Sequence, residues 1–126
     1  RVSDQAGNVM YFDLLQFFTT TMGRWSTPRT VPINTWTKAT VTYDNSSVAN
    51  DPAFYLNGAY VNHIETSTPV GTRGTDVGLN LLMGNDPTTA LTFDGLIVLP
   101  KLYKGIILTA TQIASIYQRE RRLFGV

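Results

Sequence analysis

Short apolar runs alternate with turn residues along the chain: Val, Ile, Thr, Tyr and Phe fill the runs, and Gly, Asn, Asp and Pro lie between them. In residues 35–44, Thr37, Ala39, Val41 and Tyr43 alternate with Lys38, Thr40 and Thr42. That period of two predicts a strand with its odd positions toward a core. Trp36 has the opposite parity, which predicts a bulge there or a bend where the strand begins. Residues 8–20 carry Val9, Met10, Tyr11, Phe12, Leu14, Leu15, Phe17 and Phe18, apolar on both parities, as in an inner strand covered on both faces. Asp13 is its one odd member. Around Asn57-Gly58, the runs Phe54-Tyr55-Leu56 and Ala59-Tyr60-Val61 predict a two-residue hairpin, because these two residues accept the positive φ of a type I′ turn. Residues 79–84 and 93–99 predict two more strands. Only the C-terminus has helical spacing: Thr109 is a candidate N-cap with Gln112 three residues on, and Ile113, Ile116 and Tyr117 share one face. The pattern predicts an all-β sandwich or barrel closed by one short C-terminal helix, with Ala39, Val41, Tyr43, Phe54, Leu56, Leu81, Met83, Phe93 and Ile97 in its core.

Composition narrows the class. A chain of 126 residues, 43% hydrophobic and 15% charged, suits one globular domain with one core. Its 10 Lys+Arg against 9 Asp+Glu leave a formal charge of +1, which gives no field to draw a polyanion, so nucleic acid is not expected as a partner. With no cysteine, disulfides, thiolate metal sites and cysteine nucleophiles are all excluded. No apolar run approaches the ~18 residues of a membrane span, so no membrane insertion is expected. The chain begins at Arg1 with neither an initiator Met nor a signal-peptide core, which predicts processing or a place within a longer protein.

Three blocks in order carry a resemblance. Val31-Pro32-Ile33-Asn34-Thr35-Trp36-Thr37-Lys38-Ala39-Thr40-Val41-Thr42-Tyr43-Asp44 is similar to a Trp-led strand ending in Tyr-Asp; Tyr55-Leu56-Asn57-Gly58 is similar to a hairpin; and Phe93-Asp94-Gly95-Leu96-Ile97, followed by Leu102-Tyr103 and residues 108–117, is similar to a closing strand and sealing helix. Together they resemble the laminin G-like, pentraxin-like branch of the concanavalin A-like lectin and glucanase superfamily, over roughly residues 8–118. The resemblance implies an antiparallel two-sheet jelly-roll sandwich spanning residues 1–126 as a single domain, with Trp36 and Tyr43 in the core. The family's opening edge and core strands have no counterpart, so part of a longer polypeptide or a neighbouring subunit is expected to complete the sandwich. Val98-Leu99-Pro100 stands where relatives carry an acidic residue, so no role of that residue carries over.

Candidate chemistry is sparse. The superfamily's glucanases present a Glu-x-Asp-x-x-Glu strand, whereas the two glutamates here, Glu65 and Glu120, lie far apart in sequence. His63 is the sole histidine and its place after the hairpin favours a partly exposed strand residue over a catalytic or ligating one. No enzyme is therefore expected. Asp44, Asp51 and Asp86 are candidate calcium ligands because hard cations take loop oxygens, although loop Asx residues more often bond their own backbone. A sugar offers an apolar face fringed by hydroxyls, which makes Trp25, Tyr60, Asn62, His63, Asp76, Asn85 and Asp86 candidate ligand residues. Trp25 is equally suited to covering the sandwich edge. The tail Arg119-Glu120-Arg121-Arg122 reads as a solvated helix end, followed by Leu123, Phe124 and Val126, whose apolar side chains predict docking.

The function implied is a non-catalytic carbohydrate-binding or adhesion module of an extracellular or surface protein, with a glycan or glycoprotein and neighbouring subunits as partners. The alternative is a structural component of a virus particle whose function is subunit contact.

Overall fold

The computed structural model describes residues 2–5, 9–14, 20–28, 31–32, 34–72, 74–75, 77, 82–83, 93 and 95–126. Through them run β1 (Val2–Gln5), β2 (Val9–Leu14), β3 (Gly23–Ser26), β4 (Ala39–Thr42), β5 (Ala53–Leu56), β6 (Ala59–Val61) and β7 (Ile64–Ser67), then helix α1 (Ala110–Glu120), which ends in a 3-10 turn, Arg121–Phe124. All pairings are antiparallel, in a four-stranded sheet ordered β1-β2-β3-β7 and a three-stranded sheet ordered β4-β5-β6. The architecture is the mostly-β sandwich with one short C-terminal helix that the sequence pattern predicts. Among the described residues no helix is long and apolar enough to cross a membrane.

The core forms where the two sheets face each other. Phe12 and Trp25 are directly opposite across β2 and β3, so both project from one face of the four-stranded sheet. Their rings lie 6.1 Å apart, and Tyr43 of the other layer meets them at 5.6 and 6.0 Å. Met10, Trp25 and Phe54 are buried, with Val31, Val41, Leu56 and Val61 packed around them. Removing one such side chain from water is worth about 1.5–3 kcal/mol. A polar tie reinforces the apolar one: Trp25 Nε1–H donates to Asp51 Oδ1 at 2.9 Å, linking β3 to the loop before β5.

The Asn57-Gly58 turn has the conformation its residues predict, with φ of 50° and 80° and Leu56 paired to Ala59. It also seats the helix. A Cβ on Gly58 would lie 3.0 Å from Tyr117 Cβ and 3.2 Å from Ala114 Cα. Gly58→Ala therefore combines left-handed strain with a clash against α1, and thermal unfolding should report a loss of about 1–2 kcal/mol. Helix α1 begins with the predicted capping box between Thr109 and Gln112, and Ile113 on its inner face is buried. Its far end is anchored by Glu120, which accepts from both Lys38 and Lys101.

That anchor is pH-sensitive. Burial raises the Glu120 carboxyl, but hydrogen bonds from Lys101 and Lys38 and their charges outweigh it, holding the group below its ordinary 4.5. A carboxylate whose folded pKa is depressed stabilises fully above its unfolded pKa and loses that contribution as pH falls through the folded value. Urea unfolding of the wild type and Glu120→Gln should therefore show the variant less stable near pH 7, with the gap narrowing as the pH falls below the ordinary 4.5.

Several predicted positions differ. Ala39 is exposed: it opens β4 opposite Leu56, beside the hairpin turn, at the end of the sheet. Trp36 is 36% exposed and stacks on Phe124 at 5.0 Å instead of entering the core. It lies before β4, as its parity predicts, and its contact gives Phe124 an intramolecular dock. Of the strand expected at 79–84 all but residues 82 and 83 lie outside the described residues, and residues 93 and 95–99 of the other do not lie in a strand; Met83, Phe93 and Ile97 are 60%, 46% and 50% exposed. Period-two patterning marks a face that needs cover but does not supply the paired neighbour that makes a strand. Leu99, at φ 48°, turns the chain just before Pro100. Leu81, also expected in the core, lies outside the described residues.

Candidate functional site

Of the predicted ligand residues that are described, Trp25 and His63 are brought together at Asp51. Tyr60 is 54% exposed and meets Tyr55 edge-on at 5.8 Å, on the face of β5 and β6 opposite Phe54 and Val61. Asn62 is exposed beyond the end of β6. His63 lies at the rim of the core, its ring 6.3 Å from Phe54 and its Nε2 3.4 Å from Asp51 Oδ2. Its Nδ1 is buried and has no hydrogen-bond partner among the described residues. Trp25 is fully buried on an inner strand, its ring packed between the sheets against Phe12 and Tyr43 rather than over an edge. Asp76, Asn85 and Asp86 lie outside the described residues.

Of the candidate calcium ligands, Asp44 and Asp51 each accept a structural hydrogen bond, and Asp86 lies outside the described residues. Asp44 Oδ1 accepts from Ser46 N at 2.9 Å, and that backbone hydrogen bond holds its carboxyl below the ordinary range. Asn50 Nδ2 donates to the Asp44 carbonyl at 3.0 Å, closing the loop on itself as Asx-rich turns do. Asp51 holds Trp25. Among the described residues no three His, Asp or Glu side chains come together in a way that could hold a metal ion.

A different site emerges on the outer face of the four-stranded sheet. Asp13 and Arg24 are cross-strand partners on β2 and β3, on the opposite side from Phe12 and Trp25. Arg24 Nε donates to Asp13 Oδ1 at 2.9 Å and Nη2 to Oδ2 at 3.2 Å. The Asp13 side chain is fully buried, whereas the Arg24 side chain remains 38% exposed. Hydrogen bonding to Asp13, reinforced by its charge, raises the guanidinium pKa above its ordinary value. The Tyr11 ring lies 5.8 Å below the guanidinium.

Around Arg24 opens a cleft of about 370 Å³ lined by Tyr11, Met22, Gly23, Arg24, Thr66 and Ser67. An irregularity in pairing shapes it. Arg24 pairs with Ser67 but Trp25 with Glu65, so the register shifts and Thr66 is the extra residue on β7. In a regular strand Thr66 and Ser67 would face opposite sides; the bulge lets both line one cleft. Thr66 Oγ1 donates to the Arg24 carbonyl at 3.2 Å and Ser67 Oγ to the Met22 carbonyl at 2.6 Å, which fixes both hydroxyls against β3. The result is a fixed cation, an aromatic ring, a thioether and two hydroxyls around one opening. The sequence signal that could have located it is Asp13 itself, a carboxylate in an apolar run that demands a cationic partner.

Residues 6–114 match the laminin G family model of the concanavalin A-like lectin/glucanases superfamily. The chain belongs to that superfamily. The match spans β2 to β7, with the hairpin, and the start of α1, and so agrees with the antiparallel sandwich. No curated protein and no solved structure matches the chain. A concanavalin A-like domain is a scaffold on which ligand chemistry differs from member to member, so membership fixes the architecture and leaves function to the sites described above.

Proposed function

We propose that this domain is a non-catalytic carbohydrate-recognition or adhesion module of an extracellular or surface-exposed protein, with the cleft around Arg24 as its binding site. The observation that carries the reading is the guanidinium held by a buried carboxylate at the mouth of a cleft that also presents Tyr11, Met22 and two hydroxyls. A pyranose needs an apolar surface beside closely spaced polar groups, and a ligand is bound better when those groups are ordered beforehand. The superfamily's lectin members make a sugar the natural class to test. On a glycan array, and then by calorimetry with the best saccharide, Arg24→Ala should lose about 10- to 100-fold in affinity, the worth of one charged hydrogen-bonding group. Ser67→Ala, which cannot unseat the buried pair, should weaken binding by a smaller factor. Wild-type binding that survives both substitutions would place the ligand elsewhere, with Tyr60 and Asn62 the next surface to probe.

A second reading has its own observation. Phe93, Leu96, Ile97, Leu102, Ile106 and Ile107 are between 46% and 78% exposed. Soluble monomers rarely leave so many large apolar side chains in water along one segment. Contact between copies of this chain, as in a structural component of a virus particle, would cover them. The native mass of the purified chain tests this: a stable oligomer supports subunit contact, and a monomer at micromolar concentration argues against it.

A further inference from the structure

Resting on the carbohydrate reading of the Arg24 cleft, we propose that its ligand is an uncharged, hydroxyl-rich saccharide and that acidic sugars, whether carboxylated or sulfated, are discriminated against. The proposal follows from which hydrogens and lone pairs the cleft leaves open. A guanidinium carries five N–H donors. Two of them, on Nε and Nη2, go to Asp13, so the remaining donors point away from the buried carboxylate. Each hydroxyl has one proton. That of Thr66 is committed to the Arg24 carbonyl and that of Ser67 to the Met22 carbonyl, which leaves their oxygens as acceptors toward the cleft.

The cleft therefore presents donors from Arg24 beside acceptors from Thr66 and Ser67. A sugar hydroxyl both donates and accepts, so two neighbouring hydroxyls of a pyranose satisfy both sides at once. A carboxylate or sulfate only accepts. It could use the guanidinium but would face the lone pairs of Thr66 and Ser67 without a proton to offer them. The charge balance works in the same direction. The Asp13–Arg24 pair is formally neutral, and the carboxylate 2.9 Å behind the guanidinium cancels most of the field an anion would feel. Met22, 49% exposed, and Tyr11 supply apolar surface for the C–H face of a ring.

The test uses pairs of probes that differ only in charge: methyl glucoside against glucuronic acid, methyl galactoside against galacturonic acid, and lactose against 3′-sulfated lactose, each titrated calorimetrically into the 126-residue chain. In at least one pair the neutral member should bind about tenfold tighter or more, with an affinity that changes less than about twofold between roughly 0.05 and 0.5 M salt. Asp13→Asn removes the compensating charge and should narrow or invert the preference. If that variant does not fold, Thr66→Val with Ser67→Ala provides the second arm, since deleting the acceptors should weaken the neutral probe more than the acidic one. Tighter binding of the acidic members, falling with salt, would overturn the neutral-ligand inference while leaving the carbohydrate reading in place. If no probe of either kind and no array sugar binds, the carbohydrate reading falls and this inference with it.

Discussion

Trp25→Ala should destabilise the domain by about 4 kcal/mol, enough to leave a marginally stable chain largely unfolded well below the wild-type melting temperature. Trp25 has no exposed surface, its ring lies within 6.1 Å of both Phe12 and Tyr43, and it spans the gap between the layers. Alanine would leave a cavity that neither sheet can close without moving, and cavity cost adds to the lost transfer energy. The substitution would also remove the indole N–H that donates to Asp51. Trp25→Phe separates the two contributions: it keeps an aromatic body, loses the donor, and should cost about 1–2 kcal/mol. Gly23 adds a steric check, because a Cβ there would lie 2.5 Å from the Trp25 ring. Gly23→Ala should therefore be harmful in the wild type and far milder beside Trp25→Ala. Urea unfolding followed by far-UV circular dichroism measures the four variants against the wild type; a loss below about 1 kcal/mol for Trp25→Ala would contradict the placement of this side chain at the centre of the core.

What could be read in advance divides along physical lines. Local chemistry was legible where a few consecutive residues decide the backbone. Asn57-Gly58 forms its turn, and Thr109 and Gln112 form their capping box, because both motifs satisfy themselves within four residues. Val41 and Tyr43 reach the core because strand alternation fixes their face. The Arg24 cleft was not legible, although Asp13 stood out. Pairing a buried carboxylate with its cation depends on the register between β2 and β3, and bringing Thr66 beside Ser67 depends on a bulge that no alternation pattern reveals. The loop carboxylates Asp44 and Asp51 have structural partners that were illegible for the complementary reason. Asp44 closes its own turn and Asp51 binds an indole from another sheet, and composition alone does not distinguish such an oxygen from a metal ligand.

Apolar residues 93–107 illustrate another limit. Their pattern asks for burial, and the described part of the fold leaves much of it unanswered, with Leu96 76% and Leu102 78% exposed. A two-layer sandwich has two inner faces that cover each other, and here the covered area is centred on Met10, Trp25 and Phe54. Side chains beyond the reach of that cluster gain nothing from it. Hydrophobic pattern thus reports the demand for cover, and only topology reports where cover is found.

The ion pair under the cleft carries the second large effect, and its sign depends on how the pair is dismantled. Arg24→Leu should cost about 3 kcal/mol, because it takes the bidentate guanidinium away from a fully buried carboxylate. Asp13→Leu should cost less, since the Arg24 side chain is 38% exposed and water can solvate a freed guanidinium. The double variant Asp13→Leu/Arg24→Leu should be less damaged than Arg24→Leu alone, because no charge then remains buried and two leucines on adjacent strands pack as a cross-strand pair. The double-mutant cycle, read from urea midpoints, should yield a coupling energy of about 2 kcal/mol. A cycle that closes near zero would mean that the bidentate contact is energetically idle. A large coupling would mean that Asp13 fixes the guanidinium in place, as a donor ordered before its ligand arrives. The same four chains on the glycan array then tie stability to function: the double variant, folded but lacking the guanidinium, should bind no better than Arg24→Ala.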